Sequence, residues 1–116
     1  MPAANYDLDI EQGVPYERVL FLKDAQGAIL NLTGYSARMQ VRPYVSSSEV
    51  LVELTSANTG LVLDPVLGSL TIKFTELQTQ SLLYSKSVYD IELVDTTLKP
   101  IRLLMGYVLV SPEVTR

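Results

Sequence analysis

The strongest constraint on the fold is a strict two-residue alternation. In Tyr35–Arg42, Ala37, Met39 and Val41 alternate with Arg38, Gln40 and Arg42. Successive strand side chains point to opposite faces, so this run specifies a β-strand with one apolar face and one cationic face. Leu32 and Thr33-Gly34 precede it, a buried anchor and a turn in which Gly can take positive φ. The same period returns at Leu70, Ile72 and Phe74 against Thr71, Lys73 and Thr75, and at Tyr89, Ile91 and Leu93 against Asp90 and Glu92. A chain patterned in this way builds sheets that bury one face.

The remaining stretches fit the same plan. Tyr6–Ile10 reads as a first short strand, with Tyr6, Leu8 and Ile10 opposite Asp7, Asp9 and Glu11. Val14–Lys23 reads as the second, with Val19 and Phe21 on one face and Tyr16, Leu20 and Leu22 on the other. Arg18 interrupts its apolar pattern. Asp24-Ala-Gln-Gly27 has tight-loop chemistry, and Ala28–Leu32 is a short extended return. Further strands are expected at Glu49–Leu54, Leu61–Leu63 and Ile101–Val110, with Asn58-Thr-Gly60 and Asp95–Pro100 as turns. Between the strands ending at Thr75 and starting at Ser87, Thr75 or Glu76 can open a helical turn that directs Leu77 and Leu82 inward.

At 116 residues the chain fits one domain, residues 1–116, with short flexible ends. About seven short strands with one helical turn before the sixth is the pattern of an antiparallel β-sandwich. The position of that turn, with Tyr89 just inside the next strand, resembles the crossing between sheets in immunoglobulin-like domains. The Cys and Trp hallmarks of a true immunoglobulin domain are missing.

The absence of His and Cys removes the usual zinc sites, the Ser-His and Cys-His nucleophile pairs and disulfides. A net charge of -4 gives no electrostatic reason to bind nucleic-acid phosphates. No apolar run is long enough to span a bilayer, and Met1-Pro-Ala-Ala-Asn5 lacks the features of a signal peptide, so the expectation is a soluble protein made in the cytoplasm. Asp7, Asp9 and Glu11 project from one face, but no Asp/Asn/Gly-rich loop follows to wrap a calcium ion. A charged edge strand is the better reading. No catalytic, cofactor or metal site is expected.

Two surfaces invite docking. Arg38, Gln40 and Arg42 form a cationic face, for which cross-strand pairing with Asp90 and Glu92 is the plainer explanation. The last strand is apolar on both sides: Leu104, Val108 and Val110 suit one face and Leu103, Met105, Tyr107 and Leu109 the other. Since an antiparallel sandwich strand normally keeps one face solvated, either a bulge at Gly106 rotates part of the strand or another subunit covers its outer face. The interface candidates are therefore Leu103, Met105, Tyr107 and Leu109, with Arg38 and Arg42 secondary.

Tyr6-Asp-Leu-Asp-Ile-Glu-Gln-Gly13, Asn31–Arg42, Val88-Tyr-Asp-Ile-Glu-Leu-Val94 and Gly106-Tyr-Val-Leu-Val-Ser-Pro-Glu-Val-Thr-Arg116 together resemble small immunoglobulin-like β-sandwich proteins of tailed bacteriophages, in the same order over nearly the whole chain. The resemblance implies a non-enzymatic virion component of the tail or baseplate, or an adaptor joining a tail fibre to it. Implied partners are other tail, baseplate or fibre proteins, or further copies of the chain, with neither nucleic acid nor membrane involved. The other class open to such a chain is an exposed binding or decoration module for carbohydrate or capsid.

Overall fold

The computed structural model describes residues 3–115 and shows a mostly β chain folded into two sheets. The larger contains β1 (Ala4–Asn5), β2 (Leu8–Glu11), β4 (Ser36–Arg42), β5 (Val52–Thr55), β8 (Lys86–Val94) and β9 (Pro100–Ser111). Its order is β1-β9-β8-β4-β5, with β2 also on β9. The smaller has the order β3-β7-β6, from β3 (Tyr16–Phe21), β6 (Leu61–Asp64) and β7 (Ser69–Phe74).

The alternating runs behave as their pattern demands. Ala37, Met39 and Val41 are buried, as are Leu70, Ile72 and Phe74 and Tyr89, Ile91 and Leu93. With Leu8, Ile10, Leu54, Leu61 and Val108 they fill the space between the sheets. The Thr33-Gly34 turn also forms: the Tyr35 amide donates to the Leu32 carbonyl, the Thr33 amide donates to Asn31 Oδ1, and Gly34 takes φ +81.

Three expectations are corrected. The sheets are not purely antiparallel, because β1 and β2 run parallel to β9, at Ala4↔Leu104 and Leu8↔Val108. The first strand is also split: Tyr6 and Asp7 lie between its halves, and the Asp7 carboxylate accepts the Tyr107 amide at 2.9 Å. Ala28–Leu32 makes the expected return, through the antiparallel bridge Lys23↔Ile29. In α1 (Glu76–Gln80), Leu77 points outward and is 75% exposed, whereas Leu82 is buried as expected.

The residue α1 buries is Thr79, whose hydroxyl accepts the Gly13 amide. Thr75 starts the helix with a capping box shared with Gln78, which satisfies end amides that five residues cannot satisfy themselves. Gln12 secures this end of the molecule. Its side-chain amide donates to the Leu82 carbonyl, and its side-chain carbonyl accepts the Glu113 amide. These bonds hold the β2–β3 turn, the segment after α1 and the end of β9 together.

Candidate functional site

The last strand is shaped by two features that the sequence places on one residue. Gly106 is in register, directly opposite Tyr89, so no bulge rotates the strand there. Its lack of a side chain serves a close approach: a Cβ at this position would stand 2.4 Å from the Tyr6 carbonyl oxygen. That carbonyl accepts a hydrogen bond from the Tyr89 hydroxyl. Burial pushes the Tyr89 hydroxyl above its ordinary pKa and keeps it a donor.

The bulge is three residues earlier. Ile91 pairs with Leu104 and Glu92 with Arg102, so Leu103 is the extra residue. The inserted residue resets the phase. Leu103 therefore leaves the outer row in which alternation puts it and packs partly against the core. Met105, Tyr107 and Leu109 stay on the outer face, where Met105 and Tyr107 are 39% and 43% exposed and Leu109 is half-buried.

Cross-strand registry turns this face into rows. Asn5, Met105, Asp90, Gln40 and Glu53 follow one another across the sheet, and beside them lies the row Tyr107, Val88 and Arg42. A third row places Leu109 between Asp9 and Lys86. The Lys86 ammonium stands 4.0 Å from the centre of the Tyr107 ring, a cation–π contact. The face is concave, enclosing about 720 Å³, and Arg38, Arg42, Met105 and Tyr107 all line it together with Val45, Val88 and Arg102. Four of the six residues singled out in the sequence thus meet on one surface, while Leu103 and Leu109 lie outside the concavity.

The charges are largely internal to the sheet. Arg38 Nη2 lies 2.7 Å from Glu92 Oε1, the cross-strand pair expected from the pattern. Asp90 is met by Arg102 at 3.5 Å. Gln40 donates to Glu53. Arg42 reaches neither expected carboxylate; it donates to the Ser47 carbonyl and to Gln40 Oε1. Two cations, Arg42 and Lys86, therefore flank the apolar strip of Tyr107, Val88 and Val45, and among the described residues neither has a carboxylate in ion-pair contact. Alternation did not reveal Arg102, because the bulge hides its phase, and Lys86 falls one residue before the expected strand start.

Burial and the nearby Glu92 charge raise the Asp90 pKa above its usual 3.8, and Arg102, Arg38 and Arg42 only partly offset them. The folded state thus prefers protonated Asp90 more than the unfolded chain does. The resulting penalty is fully present above the raised pKa and disappears as pH falls to 3.8 and below. Asp90→Asn is accordingly expected to match or exceed the wild-type melting temperature at pH 7, and to lose that advantage near pH 3, in paired thermal melts. A clear loss of stability at pH 7 would mean that the arginine contacts outweigh desolvation.

Alongside the last strand, Asp7, Asp9 and Glu11 do not form a cluster: Asp7 is turned onto the Tyr107 amide, and Asp9 and Glu11 follow the outer face of β2. Among the described residues, no three Asp or Glu side chains converge as a group able to hold a metal ion. Neither a scan against protein-family models nor a search of the curated proteins found a match to this chain.

Proposed function

We propose that the chain is a non-enzymatic structural protein of a tailed-bacteriophage virion, a tail or baseplate component or a tail-fibre adaptor, that acts by docking neighbouring proteins. The observation that carries this reading is the outer face of the larger sheet. There Met105, Tyr107, Val88 and Val45 form an apolar strip flanked by Arg42 and Lys86, on strands whose other faces are locked in the core. An apolar strip on a rigid backbone, rimmed by cations, is suited to a partner that brings apolar side chains and carboxylates.

Strand order supports the immunoglobulin-like part of the reading. The pairing of β9, β8, β4 and β5 opposite β3, β7 and β6 corresponds to G-F-C-C′ opposite B-E-D, with a helical turn between E and F. The first strand joins the last in parallel. The chain's resemblance to small phage sandwich proteins supplies the virion context.

Mass spectrometry of purified particles, combined with immunogold labelling, tests the reading. The chain should be present at a fixed copy number, with label at the tail end of the particle. Its absence from washed particles would sink the proposal. A second reading, glycan binding, is favoured by the same concavity, where the Tyr107 ring lies among guanidinium, amide and carboxylate groups. Saturable binding on a glycan array, lost on Tyr107→Ala, would favour it over docking.

A further inference from the structure

The smaller sheet has a free edge whose polarity can be read residue by residue. The Leu22 amide donates to the Gly68 carbonyl at 2.8 Å, in line with the β3–β7 register. Hydrogen-bonded and non-bonded pairs alternate along an antiparallel ladder. Tyr16, Arg18 and Leu20 therefore point their backbone groups toward β7, and Glu17, Val19 and Phe21 point theirs outward. The loop after β3 does not cover this edge, because Leu30 bonds to Leu22 on the Gly68 side. The outward residues also carry exposed side chains, Val19 at 46% and Phe21 at 65%.

We propose that two copies of the chain associate antiparallel through β3, joining their smaller sheets into one continuous sheet across a twofold axis. The edge matches itself. Centred on Val19, the pairing sets Glu17 opposite Phe21 of the second copy and Val19 opposite Val19, and it uses every outward amide and carbonyl of the strand. Shifting by one step in one direction sets Arg18 opposite Arg18, a repulsive pair that excludes this register. Shifting in the other direction sets Glu17 opposite Lys23, beyond the end of β3 at Phe21, and takes Val19 off the axis. The other edges are poorer templates: β5 and β6 have four residues each, and the β1–β2 edge is broken at Tyr6 and Asp7. β3 is the longest uninterrupted edge, with six residues.

Outward polarity makes the test selective. Val19→Pro removes an amide that points away from β7, so the internal ladder is kept while the central pair of the dimer is lost. Val19→Lys keeps the backbone and places like charges on the axis. In sedimentation experiments over a concentration series, the wild type should form a reversible dimer. Each variant should weaken it by roughly 30-fold, the equivalent of two hydrogen bonds. Leu77→Lys, on the exposed side of α1, should leave it unchanged. By NMR, amide exchange at Glu17, Val19 and Phe21 should slow as concentration rises. A wild type that stays monomeric throughout, or a dimer that both Val19 variants leave intact, overturns the proposal.

Discussion

Gly106→Ala is expected to lower stability by about 3 kcal/mol, a larger loss than is usual for adding one methyl group. The added Cβ would meet the Tyr6 carbonyl oxygen at 2.4 Å and Asp7 Oδ1 at 2.9 Å. The first obstacle is backbone and cannot rotate away. Relief requires the Tyr6–Asp7 segment to move off β9, which breaks the Tyr89 hydroxyl's bond to Tyr6 and the Asp7 bond to the Tyr107 amide. About 1 kcal/mol of overpacking that remains after the segment has moved, and two hydrogen bonds of about 1 kcal/mol each, give that magnitude. At roughly 4 °C per kcal/mol the melting temperature should fall by about 12 °C. Amide exchange should accelerate first in β1 and β2, which are held to the sheet by β9 alone. A loss below about 1 kcal/mol would show that the segment yields easily and that the close contact does not hold it in place.

Gly106 also shows what a linear pattern can and cannot say. The bulge expected at Gly106 exists, but on another residue: Leu103 is the bulge, and Gly106 instead allows a close backbone approach. Alternation identifies faces as long as the period is unbroken. It therefore read Ala37, Met39 and Val41 correctly, and also Tyr89, Ile91 and Leu93. An inserted residue breaks the phase: Leu104, Val108 and Val110 lie inward and Met105 and Tyr107 outward as the pattern has them, but Leu103 leaves its row, and nothing in the run Ile101–Met105 marks where the insertion falls.

Strand direction is equally silent, since an alternating segment presents the same faces in parallel and in antiparallel pairing. Hence the parallel join of β1 and β2 to β9 was not legible. Leu77 escaped because a five-residue helix is too short for a period to develop, and its orientation follows from the Thr75 cap and the burial of Thr79. Arg18, the apparent flaw in the second strand, is now placed. It stands opposite Ile72 on the inward side, at the rim, with its guanidinium 5.7 Å from the centre of the Tyr6 ring. An inward-directed charge on an edge strand narrows the set of partners that can pair with it. Of the candidate surface, the Arg38–Glu92 pair and the outward Met105 and Tyr107 were legible, whereas the position of Arg42 against Ser47 depends on a loop that no periodicity describes.

The double substitution Met105→Asp and Tyr107→Asp is expected to remove docking while leaving the sandwich folded. Both side chains are outward and partly exposed, so no core volume is lost. The stability cost should be about 1 kcal/mol, because residue 105 lies directly across from Asp90 and the Lys86 contact with the Tyr107 ring is lost. At an interface the same changes are far more damaging. Each replaces an apolar contact with a carboxylate that must be desolvated on binding, and anchors of this kind contribute at least about 2 kcal/mol each. Together they should reduce incorporation into particles by two or more orders of magnitude, measured by quantitative mass spectrometry in complementation. Arg42→Glu should act in the same direction but more weakly, mainly on the association rate, if the partner presents carboxylates to this rim. Normal incorporation of a folded double variant would exclude this face. Docking would then have to use the outer side of the smaller sheet, where Val19, Phe21 and Val62 are exposed.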